Sequence, residues 1–312
     1  MRTTGIHHIT AIAGDAQTNL DFYANLLGVR LVKKTVNFDA PDVYHLYYGD
    51  AAGRPGTILT FFPWGEIRSG QLAAGQATAI GFAIPTTSLD YWQARLDREG
   101  IPTAAPEERF GESVLRFSDP DGLPLELVGR DVPAGRDSWA SAPVSSVHQI
   151  RGFAGVTLLE ARRGPTEELL IGQLGFQPVA EAGDRVRYRA PGVGPGEIID
   201  LLVVPNSRPG IVAGGSIHHV AFRAADDAQQ LAARAALASA GYNVTPVRDR
   251  QYFHSIYFHE PGGVLFEIAT DPPGFAIDET PEALGSALKL PPWLERNRAD
   301  LERALPPLSA KS

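Results

Sequence analysis

His7-His8-Ile9-Thr10-Ala11, near the start of the chain, and His218-His219-Val220-Ala221-Phe222, far along it, are one phrase written twice. Each is a histidine pair running into a short apolar stretch, and such a stretch reads as a strand. After the second copy, Pro261-Gly-Gly-Val-Leu-Phe-Glu267-Ile-Ala sets a single carboxylate in the middle of an apolar run. Two imidazoles and one carboxylate form the donor set of a facial metal site with open positions, so the repeat carries chemistry as well as structure.

The repeat extends to four units, beginning near residues 5, 78, 150 and 215, each a strand, an amphipathic helix and a strand hairpin ending in an apolar strand. In the first, Ile6 to Ile12 reads as a strand. Asp15 is positioned to cap a helix with Leu20, Tyr23 and Leu27 on one face, and Gly28 stops it before the hairpin at His45 to Phe62. The second has Ala79 to Ile84, a helix with Leu89, Trp92 and Leu96 inward, and a hairpin turning at Asp119-Pro-Asp-Gly122. The third has Gly155 to Leu159, a helix through Leu170 and Leu174 to Gly175, and a hairpin from Arg185 to Val204. The fourth has Ile217 to Arg223, an Ala-rich helix ending at Gly241, and the hairpin Ser255 to Thr270. The expected architecture is α+β: four βαβββ modules in two halves, residues 1–130 and 148–270, joined by a Pro-, Ser-, Ala- and Gly-rich linker at 131–147. Residues 271–312 read as a tail in which Trp293, Leu294 and Leu301 lie on the apolar side of a short docking helix, with the last few residues frayed.

The units differ at the two strand positions that His219 and Glu267 occupy in unit four. Unit one offers His8 and Phe61, unit two Gly81 and Glu126, and unit three Gly155 with Leu201, one residue after Asp200. Pairing sequential units leaves each pocket one ligand short. Pairing unit one with unit four gathers His8, His219 and Glu267 into one complete site and leaves Glu126 in an empty one, as a paired or rim-facing carboxylate, so the expected neighbours are one with four and two with three. With regular pleating His7 and His218 face away from their neighbours, unless a bulge brings His218 back. Tyr257 lies in register beside the Glu267 strand, and Arg250 precedes it as an anion holder or as half of a surface pair with Asp249 or another neighbour. Phe61, Phe62, Pro63 and Trp64 suit an aromatic wall or core packing alike; His45, His148 and His259 read as surface or hairpin residues.

Composition narrows the function. The chain has 312 residues, 44% hydrophobic, with formal net charge -8. That is enough to bury a large core, and it argues against a phosphate-tracking nucleic-acid surface. No apolar run is long enough for a membrane span, and no room precedes His7 for a cleavable signal, so a cytoplasmic protein is expected. Cysteine is absent, so any metal is held by nitrogen and oxygen donors. The set His8, His219 and Glu267 suits iron(II) and accepts manganese(II) or another divalent ion.

The chain resembles the vicinal oxygen chelate superfamily, the glyoxalase, bleomycin-resistance and dioxygenase collection, and within it the hydroquinone 1,2-dioxygenases. The phrases that carry the likeness are His7-His8-Ile-Thr with Gly14-Asp-Ala-Gln-Thr-Asn19, Leu31-Val-Lys-Lys34, Tyr44-His-Leu-Tyr47, Pro55-Gly-Thr57, His218-His219-Val-Ala-Phe222, Tyr257-Phe-His-Glu-Pro-Gly-Gly-Val-Leu-Phe-Glu267-Ile-Ala-Thr-Asp-Pro-Pro-Gly274 and Leu290-Pro-Pro-Trp-Leu294. The resemblance implies iron(II) on His8, His219 and Glu267, with His218, Arg250 and Tyr257 as the active-site residues around it. It implies a ring-cleaving dioxygenase that takes a small aromatic substrate and dioxygen, as a monomer or a homo-oligomer. Two alternatives remain open: a glyoxalase-like isomerase or lyase, for which Phe61 is a poor fourth ligand, and a non-catalytic module sequestering aromatic or drug-like molecules, which has no need of the histidine–histidine–glutamate set.

Overall fold

The computed structural model describes residues 2–131, 138–192 and 194–309, so part of the expected linker and the frayed end fall outside the described residues. Among the described residues sixteen strands form two eight-stranded sheets. The first runs, edge to edge, Arg248–Asp249, Phe253–His259, Leu265–Pro273, Ser216–Ala224, Ile6–Ala13, Ile58–Pro63, Ala40–Gly49 and Arg30–Asn37. Units one and four therefore share a sheet, as the ligand argument requires. The second runs Gln177–Ala182, Arg185–Arg189, Ile198–Val203, Phe153–Glu160, Gln76–Pro85, Pro124–Arg130, Glu112–Ser118 and Glu107–Arg109, which joins units three and two.

Each sheet is built about a central antiparallel pair, Ile6–Ala13 on Ser216–Ala224 and Gln76–Pro85 on Phe153–Glu160, with the last strand of each unit added parallel outside it. Strands buried on both faces read as continuous apolar runs, and all eight residues of Ile6–Ala13 are buried. The largest hydrophobic cluster among the described residues runs through both sheets, from Ile9, Phe61 and Phe266 to Phe82, Trp92 and Leu158. The crossover segments are stitched together by bridges at Ser69–Gly214, Gln71–Ile211 and Ala74–Pro209.

The helices form where capping and spacing ask for them. The Asp15 carboxylate accepts from the Thr18 amide at 2.7 Å, starting Ala16–Leu20, which widens to a π-helix over Asp21–Leu26 and buries Leu20, Tyr23 and Leu27. Gly28 and Gly241 end the first and fourth helices at φ +71° and +91°, left-handed conformations that a side chain resists. The tail is fixed to the first sheet rather than trailing from it. Lys33, fully buried, holds Asp278 and Glu279 at 2.5 Å each, and its ammonium also donates to the Phe275 carbonyl. The tail helix is Arg298–Ala304, so of the residues expected on its apolar side only Leu301 lies in it; Leu294 and Trp293 precede it, and Trp293 sits edge-on to Phe38 with ring centres 5.6 Å apart. No helix among the described residues is long and apolar enough to cross a membrane.

Two buried glutamates meet at a seam between the sheets, Glu160 at the end of its strand and Glu260 in the turn before Leu265. A Cβ on Gly262 would fall 1.8 Å from Glu160 Oε2, so glycine is required there to let the carboxyl in. Burial, then the adjoining Glu260, push the Glu160 carboxyl up to about 8. A folded-state value above the unfolded one means that the folded protein holds the proton more tightly, so this contribution to stability is full below pH about 4.5 and is lost as pH rises through about 8. Relative to Glu160→Gln, the wild-type melting temperature is expected to fall on the order of several degrees across that window. Parallel melting curves for the two proteins would remove the shared proton.

Candidate metal centre

The two histidine pairs lie on neighbouring strands, and both contain a bulge. On Ile6–Ala13, Ile6 opposes Phe222 and His8 opposes Ala221, which leaves His7 as an extra residue. On Ser216–Ala224, His219 opposes Thr10 and Ile217 opposes Ala11, which leaves His218 extra. The bulge re-aims each extra histidine so that adjacent rings meet. His7 Nδ1 stands 2.9 Å from His8 Nδ1, and His218 Nδ1 stands 2.8 Å from His219 Nδ1.

The far nitrogens converge. His8 Nε2 and His219 Nε2 are 3.2 Å apart and lie 3.4 and 2.9 Å from Glu267 Oε2. All three residues are buried, Glu267 completely. Burial works to raise the Glu267 carboxyl, but the His8 and His219 rings outweigh it and hold the group well below the usual carboxylate range. Ser255 Oγ donates to Oε1 at 2.5 Å, whereas Oε2 has no aligned hydrogen bond. An orphaned carboxylate oxygen facing two imidazole nitrogens fits a divalent cation, for which these three atoms could serve as ligands. The second nitrogens support that fit. Burial keeps His7 well below its usual pKa and lowers His218 to about 4, so both rings are neutral near pH 7. His7 also makes a backbone hydrogen bond with Thr270, which leaves its Nδ1 to accept from His8 and fixes the His8 lone pair on Nε2.

A cavity of about 790 Å³ opens on these three side chains. Tyr257 stands opposite Glu267 on the adjoining strand, and its ring lies edge-on to His219 at 5.8 Å. Its hydroxyl accepts from Arg250 Nε at 3.2 Å, and burial, reinforced by Glu267, raises its pKa. Arg250 also reaches across to Asp39 at 3.0 Å, so its ion-pair partner comes from unit one and not from the adjacent Asp249. His218, Phe62 and Trp64 line the cavity, while Phe61 belongs to the core. His254 faces the other way, onto Asp227. His45, expected as a surface or hairpin residue, stands in the hairpin strand Ala40–Gly49 and lines the cavity with Tyr47. The overlooked signal is the alternation in Tyr44-His-Leu-Tyr47, which puts His45 and Tyr47 on one strand face.

The comparisons with known proteins run nearly the length of the chain. A model of the Glyoxalase/Bleomycin resistance protein/Dioxygenase superfamily matches residues 5–127 and 171–268. The chain belongs to that superfamily. The Bacillus subtilis (strain 168) protein named "Putative ring-cleaving dioxygenase MhqO" is 47% identical over 310 residues, spanning 99% of this chain and 98% of that protein. The "Chlorohydroquinone/hydroquinone 1,2-dioxygenase" of Sphingobium indicum is 36% identical over 310 residues, spanning 97% and 96%. A crystal structure described as a "putative dioxygenase" from B. subtilis superposes with TM-score 0.96 at 47% identity, covering 100% of this chain and 99% of that one. Glyoxalase I from Zea mays superposes with TM-score 0.64 at 15% identity over 86% of this chain and 92% of its own, which is a likeness of fold.

In this member of the superfamily the bulges also correct the sequence register. Two residues beyond each metal-facing histidine, Ala221 opposes Glu267 and Thr10 opposes Thr60, so Thr60, and not Phe61, is the counterpart of Glu267. In the second sheet the extra residues are Thr78 and Ala154. Ala79, and not Gly81, then stands in the histidine's place in unit two, and Asp200, opposite Thr157, replaces Leu201 in unit three. A one-residue slip reverses the face of every side chain, and a bulge is such a slip. The second site therefore holds two carboxylates, each gripped by a guanidinium fork. Arg109 binds Glu126 at 2.8 and 2.9 Å, and Arg187 binds Asp200 at 2.8 and 3.0 Å. The histidine positions hold Ala79 and Gly155, and Arg187 stands opposite Asp200 as Tyr257 stands opposite Glu267, so this site is closed by arginine–carboxylate pairs.

Proposed function

We propose that the chain is a non-haem iron(II)-dependent ring-cleaving dioxygenase acting on a hydroquinone. The observation that carries this reading is the triad His8, His219 and Glu267 at the floor of a cavity large enough for an aromatic ring, with one face free of protein ligands. The names of the Bacillus and Sphingobium relatives support it. A bound iron(II) supplies open coordination positions for an aromatic hydroxyl and dioxygen together. The protein's part is orientation and proton handling. His218 faces the cavity beside His219 and is suited to take up a ring-hydroxyl proton, while Tyr257, kept protonated by burial on the wall that carries Glu267, is suited to donate one. Arg250, joined to Tyr257 and Asp39, opposes the negative charge that develops on the opened oxygenated ring. Phe62, Trp64 and Phe253 supply the apolar walls.

An isomerase that relies on a second metal-binding carboxylate would need one at the counterpart of Glu267, where this chain has Thr60. The test is oxygen uptake by iron-loaded protein, prepared without air, with hydroquinone, methylhydroquinone and catechol in parallel. Uptake matched by loss of ring absorbance is expected with the para-diols. Tyr257→Phe is expected to keep its iron and lose turnover by about 10²-fold, the scale of one acid–base group. No uptake by protein shown to hold iron would reject the reading.

A further inference from the structure

The local two-fold axis that relates His8 to His219 also relates Tyr47 to Tyr257. Tyr257 opposes Glu267 across its strand pair, and Tyr47 opposes Thr60, the counterpart of Glu267. The residues two positions earlier correspond as well: Ser255 bonds to Glu267, and His45 Nε2 meets Thr60 Oγ1 at 2.8 Å. Two phenols thus line one cavity from opposite units. They are braced differently. Arg250 donates to the Tyr257 oxygen, while the Tyr47 hydroxyl lies 2.9 Å from His45 Nδ1.

His45 is held on every side. Its ring packs on Tyr47 at 4.0 Å and on Phe62 at 4.3 Å, and Thr60 is in turn bonded to Thr10 at 2.8 Å. Burial and the charges of His8, His219 and Arg250 keep the ring neutral. In either tautomer His45 occupies one side of the Tyr47 hydroxyl and leaves the other side for a ligand hydroxyl, which can donate or accept. An ortho-diol brings both oxygens to one metal face. A para-diol that binds the metal through one oxygen carries the second to the far end of the ring, where only the wall can meet it.

Resting on the hydroquinone reading of this site, we propose that Tyr47, oriented by His45, binds the ring hydroxyl that is not on the metal and so selects para-diols. Tyr47 is the specificity residue and His45 a positioning residue. The test is an anaerobic titration of metal-loaded protein with hydroquinone and with phenol, which lacks the second hydroxyl. Wild type is expected to prefer hydroquinone by about tenfold, the scale of one hydrogen bond. Tyr47→Phe should bring the ratio near one with unchanged metal content and unchanged phenol affinity, which also excludes misfolding. His45→Gln, which keeps a polar partner, should retain part of the preference and His45→Phe none of it. A wild type without preference, or a preference that survives in Tyr47→Phe, overturns the proposal. Preference without ring cleavage would reject the dioxygenase reading alone, and cleavage with the preference intact in Tyr47→Phe would reject this inference alone.

Discussion

Glu267→Gln is expected to lose bound iron by about two orders of magnitude or more, since substitutions one shell further out already cost 10- to 100-fold in metal affinity. The amide keeps the size of the side chain but removes the one anionic ligand, and it can turn N–H donors toward His8 Nε2 and His219 Nε2, which lie 3.4 and 2.9 Å from the present oxygen. Oxygen uptake should vanish with the metal. Stoichiometric iron in the variant, measured by elemental analysis, would remove Glu267 from the metal site.

Arg187→Ala is expected to destabilise the protein by about 3–5 kcal/mol, the cost of leaving a buried charge without its partner. Arg187 is buried, forks onto Asp200, reaches Glu112 at 2.5 Å and lies over the Phe110 ring at 4.6 Å. Without it Asp200 keeps only the longer contact to Arg185, at 3.2 Å. A loss of this size lowers the melting temperature by about 10 °C in a domain of this class. Arg187→Lys restores the charge without the fork and should fall between the two. A melting temperature within a degree or so of wild type in Arg187→Ala would show that the arginine network of the second sheet contributes little to stability.

The repeat and its pairing were legible because histidines are rare and a complete ligand set is a strong constraint: only the union of units one and four collects His8, His219 and Glu267. The register was less legible. A bulge adds a residue without leaving a mark in hydrophobic periodicity, so Phe61 stood in for Thr60 and Leu201 for Asp200. His45 was missed although its partners Tyr47, Thr60 and Phe62 belong to its own hairpin, because strand alternation says which residues share a face but not that this face lines a cavity. The partner of Arg250 was misplaced because it comes from a unit distant in sequence. Asp39 is 211 positions away in sequence and 3.0 Å away in space.

The sheet topology also orders the assembly of the molecule. All strands of the second sheet lie between Gln76 and Val203, one continuous stretch, and its inner charges are neutralised by its own arginines. The first sheet needs both flanking stretches, and His8 must wait for His219 and Glu267 to be synthesised. The arginine-filled half can thus be complete as the chain leaves the ribosome, while the metal-facing half closes last around a folded spacer that brings its two ends together and lowers the entropy of that long closure. A divalent metal would find all three side chains only at the final step of folding, because a nascent chain that ends before residue 267 lacks the carboxylate.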